Sequence, residues 1–415
     1  MKKFLTLSFV ALAWAAFVFI TSFYGWWMRP VVSPGDTAAF FAHAESQLES
    51  ESRGNSALVL IEDGQVRFES YSADPLAVNE DTLFSLASMS KWFAAYGAML
   101  LVEQGKVALD TPVTEILTRW QLPPSEFDNS GVTLRTLLSH TAGLDDGLGF
   151  GDYTADETLP TLEESLAAPR ASDGRAVEIA VTSPPDEAWS YSGGGYLILE
   201  LLIEEVSGQP FAEYMRQAVF EPLAMQRSGY GFIDGYNNSA GSYALDGSRA
   251  PSYQYAAKAA TALASSAADV TRFVQAQLAA CGGGDIAGPL SCASLEAMRE
   301  PHGRSLGADV WGLGTMLYAP IQQGGYVFGH DGGNDPAINT AVRINPDTGD
   351  ALIILLTGEL SLATRLGSDW VLWQTGMPDI LASEAVIASM LTPLLLGWLV
   401  LGIALILWRR KTHAA

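Results

Sequence analysis

Basic residues and cysteines are scarce in this chain of 415 residues. Only 23 Lys+Arg stand against 46 Asp+Glu, a formal net charge of −23. Five of the basic residues (Lys2, Lys3, Arg409, Arg410, Lys411) lie at the ends, which leaves 18 against 46, a charge of −28, for the chain between them. Such a surface repels nucleic acid and anionic lipid headgroups, which makes both poor partners for that part. Two cysteines, Cys281 and Cys292, enclose the stretch Gly282-Gly283-Gly284-Asp285. In an oxidising compartment they can pair and close a short loop. There is no C-x-x-C, no H-E-x-x-H and no cluster among the five histidines, so no metal site is expected.

Charge is missing altogether from two long runs. Phe4 to Met28 is uncharged over 25 residues, between Lys2-Lys3 and Arg29-Pro30. Ala385 to Trp408 is uncharged over 24 and is followed at once by Arg409-Arg410-Lys411. As helices both are long enough for about 30 Å of hydrocarbon. The first could be a cleaved signal peptide. It ends instead in Tyr24-Gly25-Trp26-Trp27, an interfacial aromatic belt, without a small-x-small cleavage site, and is read as an anchor at residues 4–28. The second contains Pro393 and two glycines, which a membrane helix tolerates, and is read as a membrane helix at 385–408. The cationic flanks put both termini on the cytoplasmic side of the inner membrane, with residues 37–375 facing the periplasm or exterior.

Between these runs lysine is rare. Of six lysines only Lys91, Lys106 and Lys258 lie between residues 4 and 408, and only Lys91 has a serine three positions before it. Ser88-Met89-Ser90-Lys91 therefore has the S-x-x-K spacing of an acyl-transfer nucleophile. Three residues make about one helical turn, so both side chains share a face. A serine hydroxyl is a weak nucleophile until a neighbour takes its proton. Lysine can do so only as the free amine, since an ammonium has no lone pair.

The patterning predicts a mixed α/β (α+β) chain. Asp36 to Ser50 reads as an amphipathic helix. Ala57 to Ile61 and Gln65 to Tyr71 flank Asp63-Gly64, a hairpin signal. Ser88 to Gln104 is helical. Residues 105–300 read as helix and loop, broken near 122–129, 143–152 and 172–187, and form an inserted helical lobe. Thr261 to Leu278 reads as a helix with Ser266 and Asp269 in capping positions. Strand signals return at Trp311–Tyr318, Tyr326–His330, Ile338–Ile344 and Ala351–Thr357, then a helix near 361–374. Early and late strands belong most simply to one antiparallel sheet flanked by helices.

Phe84-Ser-Leu-Ala-Ser88-Met-Ser-Lys91 resembles the first motif of the class C β-lactamases and the β-lactamase-related serine hydrolases. Further segments resemble that family in its own order. Thr133 to Leu144, with Ser139-His140-Thr-Ala-Gly, is similar to "LLxHTSGL". Trp189-Ser-Tyr191-Ser-Gly193 is similar to its Y-x-N region, and Trp311-Gly-Leu-Gly314 to "YGLGW". Gly329-His330-Asp331-Gly332-Gly333 is similar to its K/H-x-G motif. The resemblance implies the class C β-lactamase-like fold over residues 37–375 and no cofactor. It implies Ser88 as nucleophile, and Lys91 with Tyr191 as general base and proton shuttle. It implies an oxyanion hole from the N–H groups of Ser88 and Gly333, with Gly332 beside it and His330 orienting substrate or the Tyr/Lys pair. His140 reads as a brace of its loop.

Two departures bear on the substrate. Where the family's second motif ends in Asn, this chain has Gly193, so the amide that meets a penicillin side chain is missing. His330 stands where class C β-lactamases carry Lys. Gly303-Arg-Ser305-Leu-Gly307 also fits G-x-S-x-G, but a strand rather than a helix follows it. The expected protein is a membrane-anchored hydrolase of a small ester or amide, with a D-amino-acid peptide among its candidates. A β-lactamase or D,D-carboxypeptidase is the alternative, and a catalytically silent receptor or scaffold the rival outside enzymes. The oligomeric state stays open.

Overall fold

The computed structural model describes residues 2–146, 152–171, 175–282 and 288–413. Gly283 to Asp285, and parts of the loop punctuation near 143–152 and 172–187, lie outside the described residues.

Asp63 and Gly64 both take positive φ (50° and 73°), the twist a two-residue hairpin needs, and join strands Ser56–Glu62 and Gln65–Tyr71. That hairpin forms one end of an eight-stranded antiparallel sheet. The order runs Gln65–Tyr71, Ser56–Glu62, Asp350–Thr357, Ile338–Asn345, Tyr326–Asn334, Met316–Pro320, Ala308–Trp311, Gly303–Ser305. Side chains of alternate residues go to opposite faces. Leu58, Leu60, Leu352, Ile354 and Leu356 pack with Phe40, Leu366 and Trp370 of helices Thr37–Glu51 and Leu362–Thr375. Val59, Ile61, Ile353 and Leu355 join a larger core with helices Ser90–Glu103 and Gly193–Ser207. Between the sheet's first hairpin and its return lie mainly helices and loops.

Three readings change in detail. The strand foreseen over 311–318 is interrupted at residues 312–315, where Gly314 turns with φ +73° and lies so close to Ala95 that a Cβ would come within 2.1 Å of it. Residues 264–266, foreseen as helix, form a strand paired with Leu83–Ser85, and the helix is Ala267–Gly282. The first helix spans Lys2–Ser22 and stops short of Met28. Gly25 turns there with φ +69°, and the Trp27 indole N–H donates to Thr21 Oγ1 (2.8 Å), folding the aromatic belt back onto the helix end.

Among the described residues one helical span, Ser383–Trp408, is long and apolar enough to cross a membrane, and Ser8–Ser22 is a shorter apolar helix. The expected membrane-length helix is therefore shown at the C-terminal end and not at the N-terminal one. The two pack together through Trp14, Val18, Val386 and Met390, and Trp14 Nε1 donates to the Pro393 carbonyl (3.1 Å).

A cluster of charged groups sits inside this framework. Arg343 is fully buried, pairs with Asp331 and with Asp379 (3.4 Å), and lies 3.5 Å from the Tyr318 ring centroid. Removing one member of a buried ionic group strands the others in a poor solvent. Arg343→Met should cost about 3–5 kcal/mol, read by urea unfolding of the detergent-solubilised chain. An unchanged midpoint would mean that Asp331 and Asp379 are not held by this charge.

Candidate active site

The S-x-x-K residues lie at the start of a buried helix. Ala87–Met89 is one 3-10 turn and Ser90–Glu103 continues as α-helix. Ala87 takes φ +48°, a left-handed conformation costing an alanine about 1–2 kcal/mol. Its surroundings enforce it. Ser90 Oγ donates to the Ala87 carbonyl (2.6 Å) and accepts from Leu263 N–H (3.0 Å), and Leu86 N–H donates to the Leu263 carbonyl (2.9 Å). This elbow leaves Ser88 half-buried, unlike the fully buried residues around it.

Lys91 is only 3% exposed. Its Nζ lies 3.4 Å from Ser88 Oγ and donates to the Ala260 carbonyl (2.8 Å). Two rings complete its surroundings, with centroids at 4.9 Å (Tyr191) and 5.6 Å (Tyr196). Ala260 belongs to a short helix, Lys258–Thr261. Glu200, fully buried, anchors that helix by accepting Ala259 N–H (2.9 Å) and pairing with Lys258 (3.4 Å). Burial pushes the Glu200 carboxyl up to about 7.

Tyr191 is half-buried in the loop before helix Gly193–Ser207. His140, at φ +58°, holds both of its neighbours. Ser190 N–H donates to the His140 carbonyl (2.8 Å), Ser192 N–H donates to His140 Nδ1 (3.1 Å), and the ring centroids of His140 and Tyr191 are 4.4 Å apart. Burial above all, then the charge on Lys91, keeps His140 neutral, well below the usual histidine range.

His330 is 1% exposed, on the strand beside Trp311, with ring centroids 5.3 Å apart. Burial pushes it down to about 3, so the ring is neutral. Its Nδ1 lies 2.6 Å from the Asp331 carbonyl and therefore carries the proton, while Nε2 is buried without a partner. The structure thus seals this histidine from solvent, as part of the wall. Gly332 meets the elbow: a Cβ there would fall 2.1 Å from the Leu86 carbonyl, which also accepts from Thr340 Oγ1 (3.2 Å). Gly333, next along, is exposed.

Ser88, Lys91 and Tyr191 thus come together, with Gly332 against the turn that carries Ser88. Cys281 and Cys292 are joined in a disulfide between helices Ala267–Gly282 and Cys292–Arg299. Among the described residues, those two cysteines and Glu296 are the side chains close enough to share a metal, and the disulfide uses two of them. Ser305 lies in a strand hairpin rather than a strand–turn–helix elbow.

Sequence reasoning missed two buried acids. Glu200 was visible as the one charge between Tyr196 and Ile203 of an apolar helix. Asp146 accepts from Ser192 Oγ (2.5 Å) and Gly194 N–H (2.9 Å), and burial pushes it up to about 6. Its signal was Gly193-Gly194-Gly195 at a helix start, which leaves bare N–H groups for an anion.

A β-lactamase family model matches residues 40–376. The chain belongs to the β-lactamase family. It is 29% identical over 330 residues to penicillin-binding protein 4 of Amycolatopsis lactamdurans, covering 75% of this chain and 82% of that one. It is 31% identical over 173 residues to esterase EstB of Burkholderia gladioli, covering 37% and 40%. Other curated relatives are matched over only about a third of their own length. Among solved structures, an octameric penicillin-binding protein homologue from Pyrococcus abyssi superposes with a TM-score of 0.64 at 23% identity, covering 80% of this chain and 76% of that one. The D-amino acid amidase of Ochrobactrum anthropi, complexed with L-phenylalanine, gives 0.61 at 22%, covering 82% and 97%. These two likenesses establish the fold.

Gly332→Ala should cost about 1–3 kcal/mol, because the new Cβ must push the elbow off the sheet. Gly333→Ala, whose Cβ would meet nothing nearer than 3.7 Å, should cost far less. Denaturant unfolding of the pair checks this, and equal losses would mean that the contact does not hold the elbow.

Proposed function

We propose that this member of the β-lactamase family is a membrane-anchored serine hydrolase that acts on a small, uncharged ester or amide through an acyl-enzyme on Ser88. The observation that carries the reading is the 3.4 Å approach of Lys91 Nζ to Ser88 Oγ inside a buried site, with the Tyr191 ring on the amine. Ser88 Oγ attacks the substrate carbonyl carbon while its proton passes to the Lys91/Tyr191 pair. The N–H groups of Ser88 and Gly333 receive the developing oxyanion. The C–O or C–N bond then breaks and the leaving group takes that proton. Water attacks the acyl-enzyme, the same pair accepts its proton, and Ser88 regains one as the acid leaves.

The relatives include a penicillin-binding protein, an esterase and a D-amino acid amidase. Two features favour an uncharged ester or amide, including a D-amino-acid amide, over a β-lactam or a peptide with a free carboxylate. Gly193 offers no side-chain amide, and His330, neutral and buried, offers no cation. The helices Lys2–Ser22 and Ser383–His413 are the proposed anchors, with both cationic ends cytoplasmic and the catalytic domain at residues 37–375 facing the exterior.

The test is a serine-directed fluorophosphonate and a p-nitrophenyl ester applied to the full chain in detergent. Ser88→Ala should lose both labelling and turnover, by several orders of magnitude, while Ser305→Ala keeps them. Full turnover by Ser88→Ala would end the mechanism, and a labelled but inert wild type would favour the silent receptor. On the same preparation, kcat/KM for short esters should exceed that for penicillins by about tenfold or more, the scale of a missing polar contact, and Gly193→Asn should narrow the gap. A β-lactam that outpaces the best ester would put the β-lactamase reading first.

A further inference from the structure

The Ser190–Gly194 segment is tied down at every second residue. Ser190 N–H donates to the His140 carbonyl (2.8 Å) and Ser192 N–H to His140 Nδ1 (3.1 Å). Ser192 Oγ (2.5 Å) and Gly194 N–H (2.9 Å) both donate to Oδ2 of Asp146. Residues 190, 192 and 194 are therefore held by the loop from His140 to Asp146, and Tyr191 lies between the held positions with its ring on Lys91. In extended backbone successive side chains point to opposite faces, and Ser192 is extended (φ −127°, ψ 121°). The loop is itself pinned, since Thr182 N–H donates to the Gly143 carbonyl (2.8 Å).

Asp146 is an expensive way to cap a helix. It is 4% exposed, one of its oxygens is buried without a partner, and Gly194 must lack a side chain because a Cβ would come within 2.4 Å of Oδ2. A half-satisfied buried carboxylate lowers stability. Ser192 already caps the helix by accepting Gly195 N–H (2.8 Å). The acid therefore has to be explained by something other than helix stability.

We propose that Asp146 is a positioning residue which, acting through Ser192 and the first turn of helix Gly193–Ser207, fixes Tyr191 against Lys91. This rests on the reading of Tyr191 as a catalytic residue. The groups facing the carboxylate are the Ser192 hydroxyl, the N–H groups of Gly193 and Gly194, and the charge of Lys91. Ser192 Oγ and Gly194 N–H share one oxygen, so protonation weakens both of those bonds at once. Burial raises this carboxyl from 3.8 to about 6, so the folded chain binds a proton here at a pH where the unfolded chain does not. Its contribution to stability consequently falls as pH rises from about 4 to 6, and above that the ionised group is a net cost. Position and stability thus pull in opposite directions, which a purely structural acid would not do.

The experiment measures ester kcat and KM from pH 5 to 9, with melting temperatures, for wild type, Asp146→Asn, Ser192→Ala and Tyr191→Phe, all as full chains in detergent. Asp146→Asn should lose about tenfold or more in kcat at pH 8, with KM within about twofold and no fall in melting temperature. The acid limb near pH 6 in wild type should move or vanish in that variant. Ser192→Ala should lower kcat in the same direction, and it serves as the test should Asp146→Asn not fold. Wild-type kcat and an unmoved acid limb in Asp146→Asn, or a kcat loss that only tracks a lower melting temperature, would overturn the proposal. If Tyr191→Phe keeps full activity while Ser88→Ala is dead, the catalytic reading of Tyr191 fails, and the role of Asp146 with it.

Discussion

Burying Lys91 with no ion-paired carboxylate, among the described residues, is the constraint on which the rest of the candidate site depends. Among the described residues its partners are a carbonyl, a hydroxyl and two aromatic faces. The site then has to hold those partners in place. Ala260 is held by the short helix Lys258–Thr261, and that helix by Glu200, itself buried and pushed up to about 7. The surroundings of one buried amine thus extend outward to a second buried ionisable group more than a hundred residues along the chain.

The elbow at Ala87 faces the same demand from the other side. A left-handed alanine persists only where its surroundings leave no alternative. Here they are the Ser90 hydroxyl, the Leu263 backbone and the strand carrying Gly332, which approaches the Leu86 carbonyl too closely for any side chain. Glycine at 332 is thus explained by packing, and glycine at 333, which is exposed, is not. The two adjacent residues read alike in the sequence and do different things in the fold.

That contrast shows what could be read without coordinates. The first hairpin was legible because Asp63-Gly64 has one well-favoured turn geometry and the flanking runs are apolar. The Ser88/Lys91 pair was legible because a helical turn puts both residues on one face whatever surrounds them. The break between Trp311 and Met316 was not, since it answers to Ala95, more than two hundred residues away. Asp146 and Glu200 escaped for the same reason. A carboxylate's role depends on which N–H groups the fold brings to it, and periodicity carries no record of that. His330 stood out in the sequence as a candidate but not as a buried, neutral ring against Trp311, because burial is a property of the packed sheet.

The Arg343 cluster ties the strand bearing His330 and Gly332 to the chain's C-terminal segment. Asp331 lies between His330 and Gly332 and is held by Arg343, which also meets Asp379, four residues before the helix Ser383–His413 begins. Ile380 N–H donates to the Tyr318 carbonyl on the neighbouring strand (2.9 Å), and Leu381 N–H to Asp379 Oδ1 (2.9 Å). The segment leading to the apolar helix is therefore part of the sheet's own hydrogen-bonded framework. A flexible tether would let the domain turn freely above a membrane, whereas these contacts fix the first turn of the helix relative to the strand bearing Gly332 and Gly333. With the N-terminal helix packed on the same span through Trp14 and Val18, the position of the site relative to the helix pair is set by packing.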